Sequence, residues 1–341
     1  MSTDPTDPTN FPDFPVFPDE ADLPADANAF ADGAPRPDAG GFTDTPEGFK
    51  SGFVSFVGRP NTGKSTLTNA LVGEKIAIMA DQPETTRHPI RGVINREDAQ
   101  IIVVDTPGIH RPRTLLGERL NDIVKDTFAD VDVIGFTVPA DEKIGPGDRY
   151  ILEQIRSTKP NTPIIGIVTK LDKTPKDTVG ERLIELQELL GPDSELVPVS
   201  ATAGIQTNTL LDVIVDKLPE GPRFYPEDHT TDEELETRIA ELIREEALQG
   251  LREELPHSVA VQIDEMIQED ERLKIYAVLY LERPGQKRII EGPDGRRLNG
   301  IVHRARRQII DLVGQNVYLD VRVKILKNWQ QDPKALGRLG F

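Results

Sequence analysis

The chain has 341 residues, no cysteine, and 40 Lys/Arg against 58 Asp/Glu, a formal net charge of −18. That length allows two domains with their own cores, and the missing cysteines exclude disulfides and thiolate metal sites, which fits a reducing compartment. No apolar run reaches the roughly eighteen residues a membrane span needs, and the N-terminus lacks the basic and apolar regions of a secretory signal, so a cytoplasmic protein is expected.

The charge is unevenly placed. Residues 1–49 hold 11 Asp/Glu and one basic residue, Arg36, whereas residues 272–341 hold 15 Lys/Arg against 6 Asp/Glu. A basic C-terminal stretch on an acidic protein is an electrostatic footprint for an anionic partner. Residues 1–48, rich in Pro, Asp, Gly and Ala without any period, read as an acidic disordered extension. A solvated tail is the favoured account of it, ahead of an arm that docks on a basic surface.

From 49 to 219 strand and helix patterns alternate. Phe53–Val57 reads as a strand and 64–73 as a helix. Ile90–Ile94 and Gln100–Val104 are two short apolar runs joined by a hairpin signal. Residues 115–129 read as a helix, Val131–Val138 as a buried strand, 147–157 as a helix and Pro163–Val168 as a strand. Residues 176–190 form an amphipathic helix, Glu195–Val199 a strand and 207–218 a closing helix. This order predicts an α/β fold: a mostly parallel six-stranded sheet with helices on both faces and a ligand at the carboxyl ends of the strands.

Three prolines and a glycine in 219–226 exclude regular structure, so 220–231 is assigned as a linker. Thr231-Asp232-Glu233-Glu234 then supplies an N-cap and an acidic first turn for a helix to about 249. Val259, Val261, Ile263 and Met266 lean towards alternation, as do Leu273, Ile275 and Ala277. A helical spacing over 296–313 and an alternating run over Asn316–Leu326 complete a smaller α+β domain, 232–331, with about three strands. Residues 332–341 are a short tail, part of an amphipathic stretch from Trp329 to Phe341.

The chemistry begins at Gly58-Arg59-Pro60-Asn61-Thr62-Gly63-Lys64-Ser65, between the first strand and the first helix. This is a P-loop, strong in this context. Loop N–H groups and the positive end of the following helix, Thr66 included, cradle phosphate oxygens, with Gly58 and Gly63 where the loop bends and approaches the ligand. Lys64 reaches the β- and γ-phosphates, and the Ser65 hydroxyl is a Mg²⁺ ligand. A chance match in an ordinary βα turn is the weak alternative.

Four further stretches lie where a nucleotide site would be. Val104-Asp105-Thr106-Pro107-Gly108 ends a buried strand: Asp105 is placed for Mg²⁺, and Gly108 for a backbone contact to the γ-phosphate. In Thr169-Lys170-Leu171-Asp172, a carboxylate at Asp172 can accept from guanine N1–H and the N2 amino group, neither of which adenine offers. Lys170 can lie along the base, and the backbone of Ser200-Ala201 can cap guanine O6. In Pro83-Glu84-Thr85-Thr86-Arg87, Thr86 is favoured over Thr85 to close over the γ-phosphate and complete the Mg²⁺ shell. Each stretch is weak alone; their order and strand-end placement select GTP/GDP with Mg²⁺.

A second site is legible in Ile289-Ile290-Glu291-Gly292-Pro293-Asp294-Gly295-Arg296-Arg297-Leu298. An apolar turn, a Gly-x-x-Gly loop and a following helix make the layout of a KH domain, whose loop clamps about four nucleotides of single-stranded RNA. The element order resembles the type II form. Lys287, Arg288, Gly292, Gly295, Arg296, Arg297 and Arg304 are the candidate RNA-contacting residues, with Arg306 and Arg307 nearby. A solvated basic helix face ranks second. Pro293-Asp294 removes an N–H donor and adds negative charge where KH loops usually carry a basic residue, which shifts phosphate contact to Arg296 and Arg297.

Taken together, Gly58–Ser65, Thr86, Asp105–Gly108, Thr169–Asp172 and Ser200-Ala201 resemble the five conserved motifs of translation-factor-class GTPases. Asn61, Thr85-Thr86-Arg87 and Asp105-Thr106-Pro107-Gly108-Ile109-His110 resemble the Era family of bacterial ribosome-assembly GTPases, a likeness covering about residues 50–340. The resemblance implies a GTPase whose KH domain binds the 3′ region of 16S ribosomal RNA and assists 30S subunit assembly, acting as a monomer. It also implies a cytoplasmic location with peripheral contact at the inner face of the cell membrane, although the sequence shows no anchor. Ile109 stands where Ras-like enzymes carry a water-orienting glutamine, so hydrolysis should be slow and partner-dependent. Relatives with asparagine at position 61 use it with K⁺, which adds Asn61 to Lys64, Thr86 and Gly108 as catalytic candidates. Thr169 replaces the usual Asn of Asn-Lys-x-Asp, so a weaker loop tie is expected. A P-loop kinase and a structural RNA-binding protein with a degenerate nucleotide site are the competing classes. Asp172 and Asp105–Gly108 disfavour the first, and intact Lys64 and Ser65 the second. A single motif set excludes a tandem-G-domain protein.

Overall fold

The computed structural model describes residues 45–79, 85–108, 114–251 and 255–341. The expected acidic arm falls outside this range up to residue 44, as do Pro83, Glu84, Ile109 and His110.

The first domain is built from β1 (Lys50–Val57), α1 (Lys64–Val72), β2 (Ile90–Asn95), β3 (Ala99–Asp105), α2 (Leu115–Asp130), β4 (Val133–Pro139), α3 (Pro146–Thr158), β5 (Ile164–Thr169), α4 (Lys176–Leu190), β6 (Leu196–Pro198) and α5 (Thr207–Lys217). Its six strands lie in the order β2-β3-β1-β4-β5-β6. All neighbours are parallel except β2 against β3, the expected hairpin edge. β1, β3 and β4 are buried along their whole length or nearly so, because helices cover both faces of a parallel sheet. Val54, Phe56, Ile101 and Val103 pack with Leu67 of α1 and Ile214 of α5. The alternate residues Phe53, Ile102, Val104 and Phe136 pack with Val124 of α2, Ile151 of α3 and Leu186 of α4. β4 starts two residues later than expected, since Val131 caps α2 in an extended conformation.

The proline-rich connection is fastened to the edge of this domain. The side chain of Gln100, fully buried on β3, donates to Tyr225 O at 2.8 Å and accepts from the N–H groups of Phe224 and Tyr225 at 2.7 and 3.0 Å. Glu220 bridges to Lys50 and Thr231 to Gly92. Thr231 is therefore not the N-cap of the next helix: its hydroxyl donates to Arg91 O at 2.7 Å, and the helix starts four residues later.

The second domain comprises α6 (Leu235–Leu248), β7 (Ala260–Glu269), β8 (Arg272–Leu281), α7 (Pro284–Glu291), α8 (Arg296–Val313), β9 (Asn316–Ile325) and α9 (Pro333–Arg338). β8 pairs antiparallel with β7 and parallel with β9, the mixed three-stranded sheet of the expected α+β domain. The alternation in β7 changes parity between Ile263 and Met266, and a bulge at that point absorbs the change, so Val261, Ile263 and Met266 all pack against the α6–α8 core. The C-terminal stretch is a packed element. Trp329 is fully buried, and with Leu336 it joins Leu116 and Leu120 of α2 and Val278 of β8 in one apolar cluster.

Candidate nucleotide cleft and nucleic-acid interface

A cleft of about 960 Å³ gathers Asn61, Gly63, Lys64, Ser65, Thr66, Thr86, Gly108, Thr169, Lys170, Asp172 and Ala201. Gly58, Thr62, Asp105 and Ser200 support it from behind. Two positions in the P-loop take left-handed backbone, Asn61 at φ 63° and Gly63 at φ 94°; asparagine and glycine are the residues that tolerate this conformation best. Gly58 also answers a demand that was not expected. A Cβ there would lie 2.4 Å from both the carbonyl and the hydroxyl oxygen of Thr137, so close packing against β4 forbids a side chain.

At the phosphate end, the Ser65 hydroxyl donates to Asp105 Oδ2 at 2.7 Å, and the Thr86 hydroxyl donates to the same oxygen at 3.2 Å. The two hydroxyls are 3.1 Å apart. Asp105 is fully buried, and burial raises its carboxyl pKa against the opposing effects of Ser65, Lys64 and Thr86. Lys64 Nζ donates to Gly58 O and Arg59 O at 3.2 and 2.9 Å. Burial lowers its pKa to about 8, with the charge of Asp105 opposing the shift. A Cβ on Gly108 would sit 3.6 Å from Lys64 Nζ, which places the end of the Asp105–Gly108 segment directly over the lysine.

At the base end, the Ser200 hydroxyl donates to Asp172 Oδ1 at 2.6 Å. That bond is the main cause of a lowered Asp172 pKa, so the exposed carboxylate is both ionised and oriented. The Thr169 hydroxyl donates to Thr62 O at 2.6 Å. A direct tie from the end of β5 to the P-loop is thus kept despite the absent asparagine. Lys170 has φ 63° and pairs with Asp141 at 3.6 Å.

Sequence reasoning missed two parts of this site. Arg59 is held by Asp148 at 2.8 Å and Glu142 at 3.0 Å, fixing the loop to the start of α3; an Asp three residues after Gly145 at a helix start was a legible capping signal. Ile78, Met79 and the Leu248–Leu251 turn also line the cleft. The last of these belongs to the second domain and carried no motif.

The basic site is assembled around the Gly-x-x-Gly loop. Gly292, Asp294 and Gly295 all have positive φ, at 71°, 53° and 72°. A Cβ on Gly292 would lie 2.8 Å from Arg297 Cβ, so this glycine is required, while Asp is among the few residues that accept the left-handed region. Arg288 and Arg296 flank the loop and are exposed, and Arg304 is exposed further along α8. Several candidate contacts hold intramolecular partners: Arg304 pairs with Glu246 at 2.6 Å, Lys287 with Glu291 at 3.6 Å and Arg296 with Asp294 at 3.7 Å. Arg297 donates to Gln249 O at 3.0 Å.

Both halves have counterparts among known proteins. A family model described as 50S ribosome-binding GTPase matches residues 53–170, and one described as KH domain matches 254–330. GTPase Era of Corynebacterium diphtheriae is 70% identical over 303 residues, covering 88% of this chain and 99% of the relative. GTPase Era of Mycolicibacterium smegmatis is 62% identical over 296 residues, covering 86% and 99%. Among solved structures, Era in complex with MgGDPNP and nucleotides 1506–1542 of 16S ribosomal RNA aligns with a TM-score of 0.82 at 38% identity, over 86% of this chain and 99% of that one. Era of Aquifex aeolicus bound to GDP and aluminium fluoride gives the same values. A nucleotide cleft and a Gly-x-x-Gly domain, joined in this order and matched along nearly the whole of each relative, place the chain in the Era family of GTPases.

Proposed function

We propose that the protein is a GTP-hydrolysing switch that binds the 3′ region of 16S ribosomal RNA through its KH domain and assists 30S subunit maturation in the cytoplasm. One observation carries the nucleotide half: Ser65, Thr86 and Asp105 meet within 3.2 Å at one end of the cleft that Asp172 and Ser200 form at the other. The RNA half is supported by the KH layout, the exposed arginines beside its loop, and the relative solved with a 16S fragment.

The residues present fit Mg²⁺. Asp105 Oδ1 is buried with no hydrogen-bond partner among the described residues, and an ionised carboxylate with two hydroxyls is the hard oxygen set that this ion takes. Ser65, Thr86 and Asp105 would hold it; when bound, it offsets the negative charge on the β- and γ-phosphates. Lys64, buried and lowered towards about 8, regains its full charge beside a phosphate anion. Gly108, lying over Lys64, brings its N–H to the γ-phosphate, and Asp172 reads the guanine edge. Asn61 lines the cleft with a carbonyl oxygen of the kind K⁺ accepts, and is assigned to that ion. With Ile109 after Gly108, no side-chain amide at that position orients water, so intrinsic hydrolysis is slow.

The test is RNA binding measured against salt in the GTP-analogue and GDP states, using single-stranded RNA of the 16S 3′ end. Arg288→Ala/Arg296→Ala should reduce the salt slope by about 1–2. An unchanged slope would remove the KH loop from the RNA site.

A further inference from the structure

Thr86 is held on both sides by the KH domain. The carbonyl of Thr85 accepts a hydrogen bond from Arg244 of α6, a buried guanidinium paired with Glu241 at 2.6 Å. On the other side Arg87 is only 1% exposed. Its guanidinium donates to Val259 O at 2.7 Å and His257 O at 2.9 Å, both carbonyls of the segment leading into β7. It also lies over two aromatic rings of the C-terminal stretch, Trp329 at 5.6 Å and Phe341 at 5.8 Å. Phe341 stacks in turn on His88, at 4.9 Å and 9° between planes, and its carbonyl accepts from Arg119 of α2. Trp329 is fixed by its indole N–H, which donates to Ser258 O at 3.2 Å.

We propose that Arg87 is a positioning residue for GTP hydrolysis, seated in a socket of KH backbone and the Trp329–Phe341 ring pair, and that this seat places the Thr86 hydroxyl at Asp105. A guanidinium with two directed carbonyl bonds and two ring contacts has little freedom, since the fork fixes its plane as well as its position. Residue 87 is one peptide from residue 86, so displacing the seat displaces the hydroxyl. Arg244 braces the preceding carbonyl, which limits the loop to one path past Ser65. A ring at position 341 thereby reaches the phosphate end of the cleft through a single residue, and Arg119 brings α2 to the same ring.

The proposal rests on Thr86 serving the Mg²⁺ site, and the experiment separates the two. Dissociation of a fluorescent GTP analogue and of fluorescent GDP is measured across Mg²⁺ concentration, alongside single-turnover hydrolysis, for Phe341→Ala, Phe341→Tyr, Arg87→Lys and Thr86→Ala. Thermal unfolding verifies that each variant is folded. Phe341→Ala and Arg87→Lys should raise the Mg²⁺ concentration needed to retain the GTP analogue about fivefold, the scale that one lost cation–π contact supports. GDP retention should be unchanged, and Phe341→Tyr, which keeps the ring, should restore the wild-type value. Equal effects on GTP analogue and GDP, or no effect in folded variants, would overturn the socket while leaving Thr86 in place. If Thr86→Ala itself leaves the Mg²⁺ requirement unmoved, the metal reading fails and the proposal with it.

Discussion

Replacing Asp172 by Asn tests the base-reading assignment with the fewest side effects. The carboxylate is exposed, and its Oδ1 accepts from Ser200 at 2.6 Å. An asparagine of the same shape keeps its amide oxygen towards Ser200 and puts an amino group where Oδ2 was. Guanine then loses a charge-assisted acceptor and meets a donor with its own donor. A hydrogen bond to a charged group contributes about 1.5–3 kcal/mol, and an unpaired polar group costs about 1–3 kcal/mol more. The sum is about 2.5–6 kcal/mol, or a roughly 10²- to 10⁴-fold weaker GDP Kd. Xanthine carries a carbonyl where guanine has the amino group, so the same variant should bind XDP better than the wild type does. Competition of GDP and XDP against a fluorescent nucleotide reads both arms. A GDP loss below tenfold with no gain in XDP binding would show that Asp172 does not read the base.

Removing the hydroxyl that orients this carboxylate should act more mildly: Ser200→Ala is expected to weaken GDP binding by about tenfold without opening the site to XDP, read in the same competition. Gln100→Ala would strand the N–H groups of Phe224 and Tyr225 and the Tyr225 carbonyl, which that side chain satisfies. A loss of about 3–4 kcal/mol in urea unfolding is expected, and one below about 1 kcal/mol would mean that the connection is not held this way. Glu233 has its pKa raised to about 7, first by burial and then by Glu241 and Asp232. A raised carboxyl pKa gives stability that is complete below the unfolded value near 4.5 and is lost as pH rises through 7. Glu233→Gln should therefore flatten the stability profile between those limits and stabilise the protein at pH 8 by about 1–2 kcal/mol, allowing for partial exposure. Parallel unfolding curves of the two proteins across that range would refute it.

The residues proposed for phosphate and base were legible because their chemistry is local. A glycine-bounded loop before Lys64-Ser65, an acid at the end of β3 and Asp172 after β5 each sit at a strand end, and a parallel sheet brings strand ends together whatever lies between. Strand ends alone bring Ser65 to Asp105, whereas Thr86 reaches them from the loop before β2. What stayed hidden was settled by packing between distant segments. Gln100 reads as one polar residue in an apolar strand, yet 124 residues separate it from the Phe224 N–H that it satisfies. Trp329 and Phe341 read as an amphipathic tail, because nothing in their spacing says that Arg87 lies between them and the cleft. Gly58 was legible as necessary, but its packing demand was not, since the contact with Thr137 depends on β4 being the neighbour of β1.

The placement of Arg87 bears on how two sites far apart in sequence can inform one another. A loop that carries a metal ligand has to be ordered, and ordering costs conformational entropy residue by residue. Here the ordering contacts on both sides of Thr86 come from the KH domain, through Arg244 before it and the Arg87 seat after it. If GTP engages Thr86 and GDP does not, as proposed, GTP favours the seated arrangement of Val259, Trp329 and Phe341 by whatever it gains from that residue. The dependence runs both ways by thermodynamic necessity: any RNA that binds the seated KH domain more tightly must tighten GTP binding by the same factor. Tight RNA binding alone accomplishes nothing in this scheme if it is equal for the two arrangements. On this proposal the residues that decide the coupling are those of the seat, and the arginines beside Gly292 and Gly295 set only how strongly RNA is held.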